Sequence, residues 1–303
     1  MVYLTDGGIE TDLIFNKGQT LPLFSAFVLN DTTQGREVIK QYYRDYLPVA
    51  RDAGLPFLLT TDTWRASSNW ADQLGYDPSA LRRNNETAVE LCGEMQDEFA
   101  AQSVVTRISG VLGPRLDAWV HDGAITVEEA LSYHAPQIDT FAKAGVDEIA
   151  AITLTNTPEA IGIARAAKNA GLPVVLSFTV ETDGTLPGGE SLASAVERVD
   201  HETGGVPAFY MVSCAHPDHF AKVLMGDAVL AKRIGGLRAN ASTKSHVELD
   251  QSPDIDIGDI DGFGKAHRPL IAALPNLTVI GGCCGTDHRH IASLCRHCLS
   301  AAS

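Results

Sequence analysis

The chain has 303 residues, 45% of them hydrophobic and 20% charged, enough for a sizeable soluble core. Its 23 basic and 38 acidic side chains leave a net charge of −15, which repels phosphate backbones and argues against nucleic acid as a partner. Six cysteines are too sparse for a disulfide scaffold, no apolar run nears the about 18 residues of a membrane span, and Met1–Asp6 lacks a basic, then apolar leader. The expectation is a cytoplasmic protein, free of membrane, with reduced thiols.

Tyr3-Leu4-Thr5 reads as a first strand, with Asp6-Gly7-Gly8 turning at its end. A helix from about 34 to 53 carries apolar residues at Val38, Ile39, Tyr42, Tyr43, Tyr46 and Leu47, and Gly54 stops it. Pro56–Thr61 is a continuous apolar strand of the kind buried on both faces in parallel sheets. After a helix over 78–102, with Cys92 and Met95 facing inward, Val104–Ser109 is the next strand and 110–114 a loop rich in glycine and proline. Helix 128–144 ends at Gly145, Glu148–Thr153 is a strand, and Thr157-Pro158-Glu159 opens a helix ending near Gly171. Strand Val174–Val180, a surface loop over 183–189, helix 192–202 and strand Phe209–Cys214 follow. Ile234–Ser242 is a weaker strand, 250–261 an acidic irregular excursion, Thr278–Ile280 a strand entering a glycine turn, and 287–299 the final helix. Eight strands alternating with helices predict a closed α/β barrel, the (β/α)8 TIM fold, as a single domain over 1–303. No dinucleotide fingerprint follows the first strand, since Gly7-Gly8-Ile9-Glu10 lacks the third glycine.

Two strand ends carry cysteines: Cys214, and Cys283-Cys284 framed by Gly281, Gly282 and Gly285. Adjacent cysteines hardly bridge each other, because neighbouring Cα atoms sit at about 3.8 Å while a disulfide wants about 4.4–6.8 Å. Both can turn onto one soft cation, and a third sulfur from Cys214 would leave a fourth position open, as catalytic zinc requires. The alternative is that these cysteines are small buried hydrophobes. The cluster Cys295-Arg296-His297-Cys298 and the pair His288 and His290 lack partner ligands and read as surface residues of the last helix.

Gly281-Gly282-Cys283-Cys284-Gly285-Thr286, Ser213-Cys214 and Asp6-Gly7-Gly8-Ile9-Glu10-Thr11-Asp12-Leu13 together resemble the homocysteine S-methyltransferase family, and the resemblance runs along nearly the whole chain. It implies a zinc-dependent (β/α)8 barrel that moves a methyl group from a small onium donor to a thiol, with Cys214, Cys283 and Cys284 as metal ligands. It further implies substrate contacts from Asp6, Gly7, Gly8, Asp62, Trp64, Ser213, Asn240 and the position of Ile152. The chain is too short to include folate- or cobalamin-binding modules, so S-methylmethionine, S-adenosylmethionine or a betaine is the expected type of donor.

Two departures stand out. Asp62 and Trp64 replace the family's usual amide and phenol, offering a carboxylate and a cation–π face to a cationic donor; packing and loop capping are the alternative roles. Ile152 stands where the family commonly has a glutamate that helps hold the amino group of homocysteine. Losing one side of a buried ion pair costs about 3–5 kcal/mol, so Ile152 favours a thiol without that ammonium, unless Glu148 or Glu181 supplies the charge. The rival readings are a zinc-dependent hydrolase, an iron–sulfur or radical enzyme, and a zinc-containing binding protein without catalysis.

Overall fold

The structure is a computed structural model and describes residues 1–118 and 125–299; residues 119–124 and 300–303 of the expected 1–303 domain lie outside the described residues. The strands are β1 (Tyr3–Thr5), β2 (Phe57–Thr60), β3 (Thr106–Leu112), β4 (Glu148–Leu154), β5 (Val174–Phe178), β6 (Phe209–Ser213), β7 (Ile234–Ala239) and β8 (Val279–Gly282). All neighbours pair in parallel, and Tyr3 and Leu4 of β1 pair with Val279 and Ile280 of β8, closing the barrel. The expected (β/α)8 barrel is thus the observed fold.

The main helices between and after the strands are α1 (Thr33–Ala53), α2 (Pro78–Ala100), α3 (Val127–Ala144), α4 (Thr157–Ala170), α5 (Leu192–Thr203), α6 (Pro217–Gly226), α7 (Ile260–Ala273) and α8 (His288–Leu294). Their ends follow local chemistry. Thr32 accepts from the Gly35 amide at the start of α1, and Gly54 closes it with a left-handed φ of 64°. Helix α1 buries Ile39, Tyr42, Tyr43, Tyr46, Leu47 and Ala50, so its apolar spacing lies on the face toward the barrel. Withdrawing aliphatic side chains such as Ile39 and Leu47 from water contributes roughly 1.5–3 kcal/mol each. Most of the core lies between strands and helices, while Leu58, Val175, Met211 and Val279 form a separate cluster against which Tyr3, Ile152 and Phe209 pack.

Four expectations shift. Gly281 and Gly282 belong to β8 rather than to a turn. A Cβ on Gly281 would stand 2.4 Å from Thr5 Cγ2, so glycine there serves close packing across the β1–β8 seam, while one on Gly282 would stand 2.0 Å from Thr286 Oγ1 of the loop that follows β8. Strand β3 likewise continues through Gly110 to Leu112, where Gly110 makes room for the Phe141 ring. The final helix is shorter than expected: α8 ends at Leu294, and Cys295–Leu299 winds on as a wider turn. His290, expected at the surface, is fully buried; its ring bonds the Ile257 carbonyl at 2.9 Å.

Candidate active site

Strands β6 and β8 deliver their cysteines to the C-terminal mouth of the barrel, where active sites of this architecture form. The sulfurs of Cys214, Cys283 and Cys284 all lie within 4.8 Å of one another. Cys214 and Cys283 are joined as a disulfide, with Cα atoms 5.3 Å apart, and Cys284 keeps a free thiol beside them. The sequence placed all three as ligands of one ion; that arrangement needs the reduced pair. The donor set then fits a soft cation, since it offers three sulfurs and no hard oxygen ligand. Burial pushes the Cys284 thiol up to about 12, with the Glu10 carboxylate adding to the effect. A bound cation would reverse that balance, because a coordinating thiol is deprotonated.

The cysteines border a cavity of 410 Å³. Phe15, Phe24, Trp64 and Ile152 supply apolar wall, while Glu10, Asp117, Asp250, Asp254 and Asp256 face it with acid. Among the described residues, three of the five non-glycine positions with left-handed φ, Phe24, Thr153 and Cys214, line this cavity. Strain of that kind persists where surroundings over-determine the backbone. Here the clamps are visible. The Thr153 amide donates to Ser213 Oγ at 3.2 Å, which also accepts from Ser177 Oγ at 2.8 Å. The Cys214 carbonyl accepts from Asn240 Nδ2 at 3.0 Å and bonds His246 Nε2 at 2.7 Å.

Of the residues singled out from sequence, Trp64, Ile152, Asn240 and the three cysteines line the cavity. Trp64 is fixed by its indole N–H, which donates to Thr153 Oγ1 at 2.9 Å, and the Arg65 guanidinium lies 4.8 Å from its ring centre. A cation of the protein's own therefore already sits on the tryptophan expected to face the donor. Asp62 is buried and accepts from Asn30 Nδ2 at 3.1 Å; burial pushes its carboxyl up to about 6. Ser213 lies one layer beneath the cavity, behind Thr153.

Asp6 is sealed under the first loop. It accepts from Arg238 Nη2 (2.7 Å), Tyr42 Oη (2.9 Å), Thr5 Oγ1 (3.0 Å) and Thr60 Oγ1 (3.1 Å). Arg238 also donates to the carbonyls of Gly7 and Gly282, both at 3.1 Å, tying the β1 loop to the end of β8. Gly7 and Gly8 admit that loop: a Cβ on Gly8 would stand 2.6 Å from the Cys283 carbonyl oxygen, and one on Gly7 2.5 Å from that of Thr286. Neither suggested substitute for the missing glutamate reaches the cavity wall. Glu148 lies at the opposite end of β4, 3.6 Å from Arg107, and Glu181 lies 3.4 Å from His246 Nδ1.

Sequence reasoning passed over Glu10, Arg65 and His246. Glu10 stood inside a quoted motif, and a carboxylate two residues past a glycine turn at a strand end was the available signal. Arg65 immediately follows Trp64 in sequence and stacks within 3.9 Å of the Trp70 ring centre.

Fold and site together define a (β/α)8 barrel with a sulfur-only cluster at its catalytic mouth. The chain belongs to the homocysteine S-methyltransferase family, a family of methyltransferases, whose sequence model matches residues 3–298. The homocysteine S-methyltransferase YbgG of Bacillus subtilis (strain 168) is 28% identical over 178 residues; the match covers 54% of this chain and only 53% of that relative. Among solved structures, the homocysteine methyltransferase MmuM of Escherichia coli in its metallated form superposes with a TM-score of 0.76 at 21% identity, over 97% of this chain and 96% of that one. Its oxidised form gives 0.76 at 22% identity, over 97% and 94%. No helix among the described residues is long and apolar enough to cross a membrane.

Proposed function

We propose that the protein is a zinc-dependent S-methyltransferase that moves a methyl group from a small onium donor, of the S-methylmethionine, S-adenosylmethionine or betaine type, to the thiol of homocysteine or a related acceptor. The observation that carries this reading is the meeting of Cys214, Cys283 and Cys284 in a cavity walled by aromatic and acidic side chains. Zinc held by these three cysteines would supply Lewis acidity toward the acceptor thiol, which matters because a free thiol, with pKa about 8.5, is mostly protonated near neutrality. Homocysteine enters through the family and through what the named relatives act on.

The remaining chemistry falls to the chain. In the transfer, the acceptor sulfur forms a bond to the methyl carbon while the donor's carbon–onium bond breaks, its electron pair returning to the onium atom. A thiolate and a cation thereby neutralise each other. Such charge loss is favoured where water is excluded, and Phe24, Trp64 and Ile152 provide that dry wall. The clamped Cys214 and Thr153 backbones fix where the two substrates can meet, so rate would come largely from alignment. The acid around the mouth favours entry of a cationic donor.

The sulfur cluster favours this reading over a hydrolase, which would pair zinc with histidine and carboxylate. The test is a matrix of the three donor types against L-homocysteine and simpler thiols, using reduced, zinc-loaded protein and detecting the thioether by mass spectrometry. Cys214→Ala, Cys283→Ala or Cys284→Ala is expected to lose bound zinc and turnover together. A triple variant that keeps one zinc per chain, or wild type that methylates no thiol from any donor, would refute the proposal.

A further inference from the structure

The cavity holds one carboxylate for which the fold has no evident use. Glu10 sits in the short helical turn after β1, half-buried, and lines the same space as Cys283 and Cys284. Apart from its own amide, no hydrogen bond or ion pair among the described residues engages it; Arg65 acts on it only through Coulombic reach. The other acids differ. Asp117 pairs with Arg65 at 2.6 Å, Asp256 with Lys244 at 3.0 Å, and Asp250 and Asp254 stand exposed at the rim. Asp6 is sealed beneath, its oxygens already taken. Arg65 brings a complementary gap: the residue is only 8% exposed, and its Nε has no hydrogen-bond partner.

An unpaired carboxylate on the same cavity as a guanidinium whose Nε lacks a partner suits a zwitterion, and each group would leave water only at a cost that a ligand's opposite charge recovers. We propose that Glu10 binds the ammonium of an α-amino-acid acceptor, with Arg65 at its carboxylate, leaving the β4 wall apolar at Ile152. This deepens the methyl-transfer reading above and rests on it for the identity of the thiol.

The donor's onium centre is the other cation in the reaction, and two arguments point away from it as the partner of Glu10. A sulfonium or quaternary nitrogen has no N–H to donate, whereas a primary ammonium offers three. The onium also loses its charge as the methyl leaves. A carboxylate paired with it would stabilise the reactant more than the transition state and slow transfer. An ammonium keeps its charge throughout, so holding it with Glu10 costs nothing in the chemical step. The consequence is that Ile152 does not by itself exclude an amino-acid thiol; the anchoring charge has moved from β4 to the loop after β1.

The test is calorimetric binding of L-homocysteine and of 4-mercaptobutanoate, which lacks only the amino group, to reduced, zinc-loaded wild type, Glu10→Gln and Glu10→Ala, with thermal melts to check folding. Wild type should bind homocysteine about ten- to a hundredfold more tightly, the range of a hydrogen-bonded charge, and both variants should lose that preference while binding 4-mercaptobutanoate within about threefold of wild type. Equal affinities in wild type, or equal weakening for both thiols in the variants, would overturn the proposal. So would a raised donor KM with unchanged homocysteine affinity, which would place Glu10 on the donor. If the binding preference holds but no donor methylates either thiol, the methyl-transfer reading alone fails.

Discussion

Asp6 and Glu10 are four residues apart on one loop and have opposite fates. Asp6 is fully buried and saturated by Arg238, Tyr42, Thr5 and Thr60. Glu10 opens on the cavity with no side-chain partner but the distant pull of Arg65, and burial holds its carboxyl up at about 7. The difference teaches that a carboxylate's role here is set by which donors the barrel seam brings to it. A charge with its partners inside the protein builds the floor; a charge without them is left for a ligand.

The largest break in that comparison should come from Asp6→Ala. It strands Arg238, which is 6% exposed, and should cost about 3–5 kcal/mol of unfolding free energy in urea titration. A loss under about 1 kcal/mol, the range of an exposed pair, would show that Asp6 is not the floor. Tyr42→Phe removes one hydrogen bond to the charged Asp6 and should cost about 1.5–3 kcal/mol, leaving homocysteine affinity little changed.

The smallest effect sharpens the other half. The Glu10 carboxyl is held at about 7 against its usual 4.5, so between these values the unfolded chain releases a proton that the folded protein keeps. Wild-type stability therefore falls as pH rises through that window, and Glu10→Gln escapes this term. Discounted for the partial solvent exposure of Glu10, the variant should gain on wild type by the order of 1 kcal/mol between pH 4.5 and 7 in ligand-free melts. Parallel pH profiles for the two proteins would mean that Glu10 is already paired in solution.

Much of this architecture was legible in the chain because it is written locally. The eight strands show as apolar runs, Gly54 and Gly145 mark helix ends, and the glycine-framed Cys283 and Cys284 announce a site. What stayed hidden depends on distant partners. Gly281 and Gly282 look like a turn until Thr5 and Thr286 are seen pressing on them. Nothing near Asp6 in sequence announces Arg238, 232 positions away, which is found on its carboxylate. His290 looks exposed until the Ile257 carbonyl reaches its ring. The meeting of Cys214 and Cys283, 69 positions apart, is read from their strand ends, but the disulfide between them is not.

The seam where β1 meets β8 also governs when the site exists at all. Thr11 Oγ1 accepts from the Gly285 amide across 274 positions, and Arg238 laces both sides of the seam together. No contiguous fragment contains the sulfur cluster, the β1 loop and its arginine anchor unless it spans almost the whole barrel. Ligand binding is therefore linked to closure of the entire ring: an occupant at a hundred times its dissociation constant should stabilise the whole fold by about 2.7 kcal/mol. That gain should appear in the slowest-exchanging amides of β1 and β8 as well as in those of the loops, because opening the seam to release the site opens the barrel.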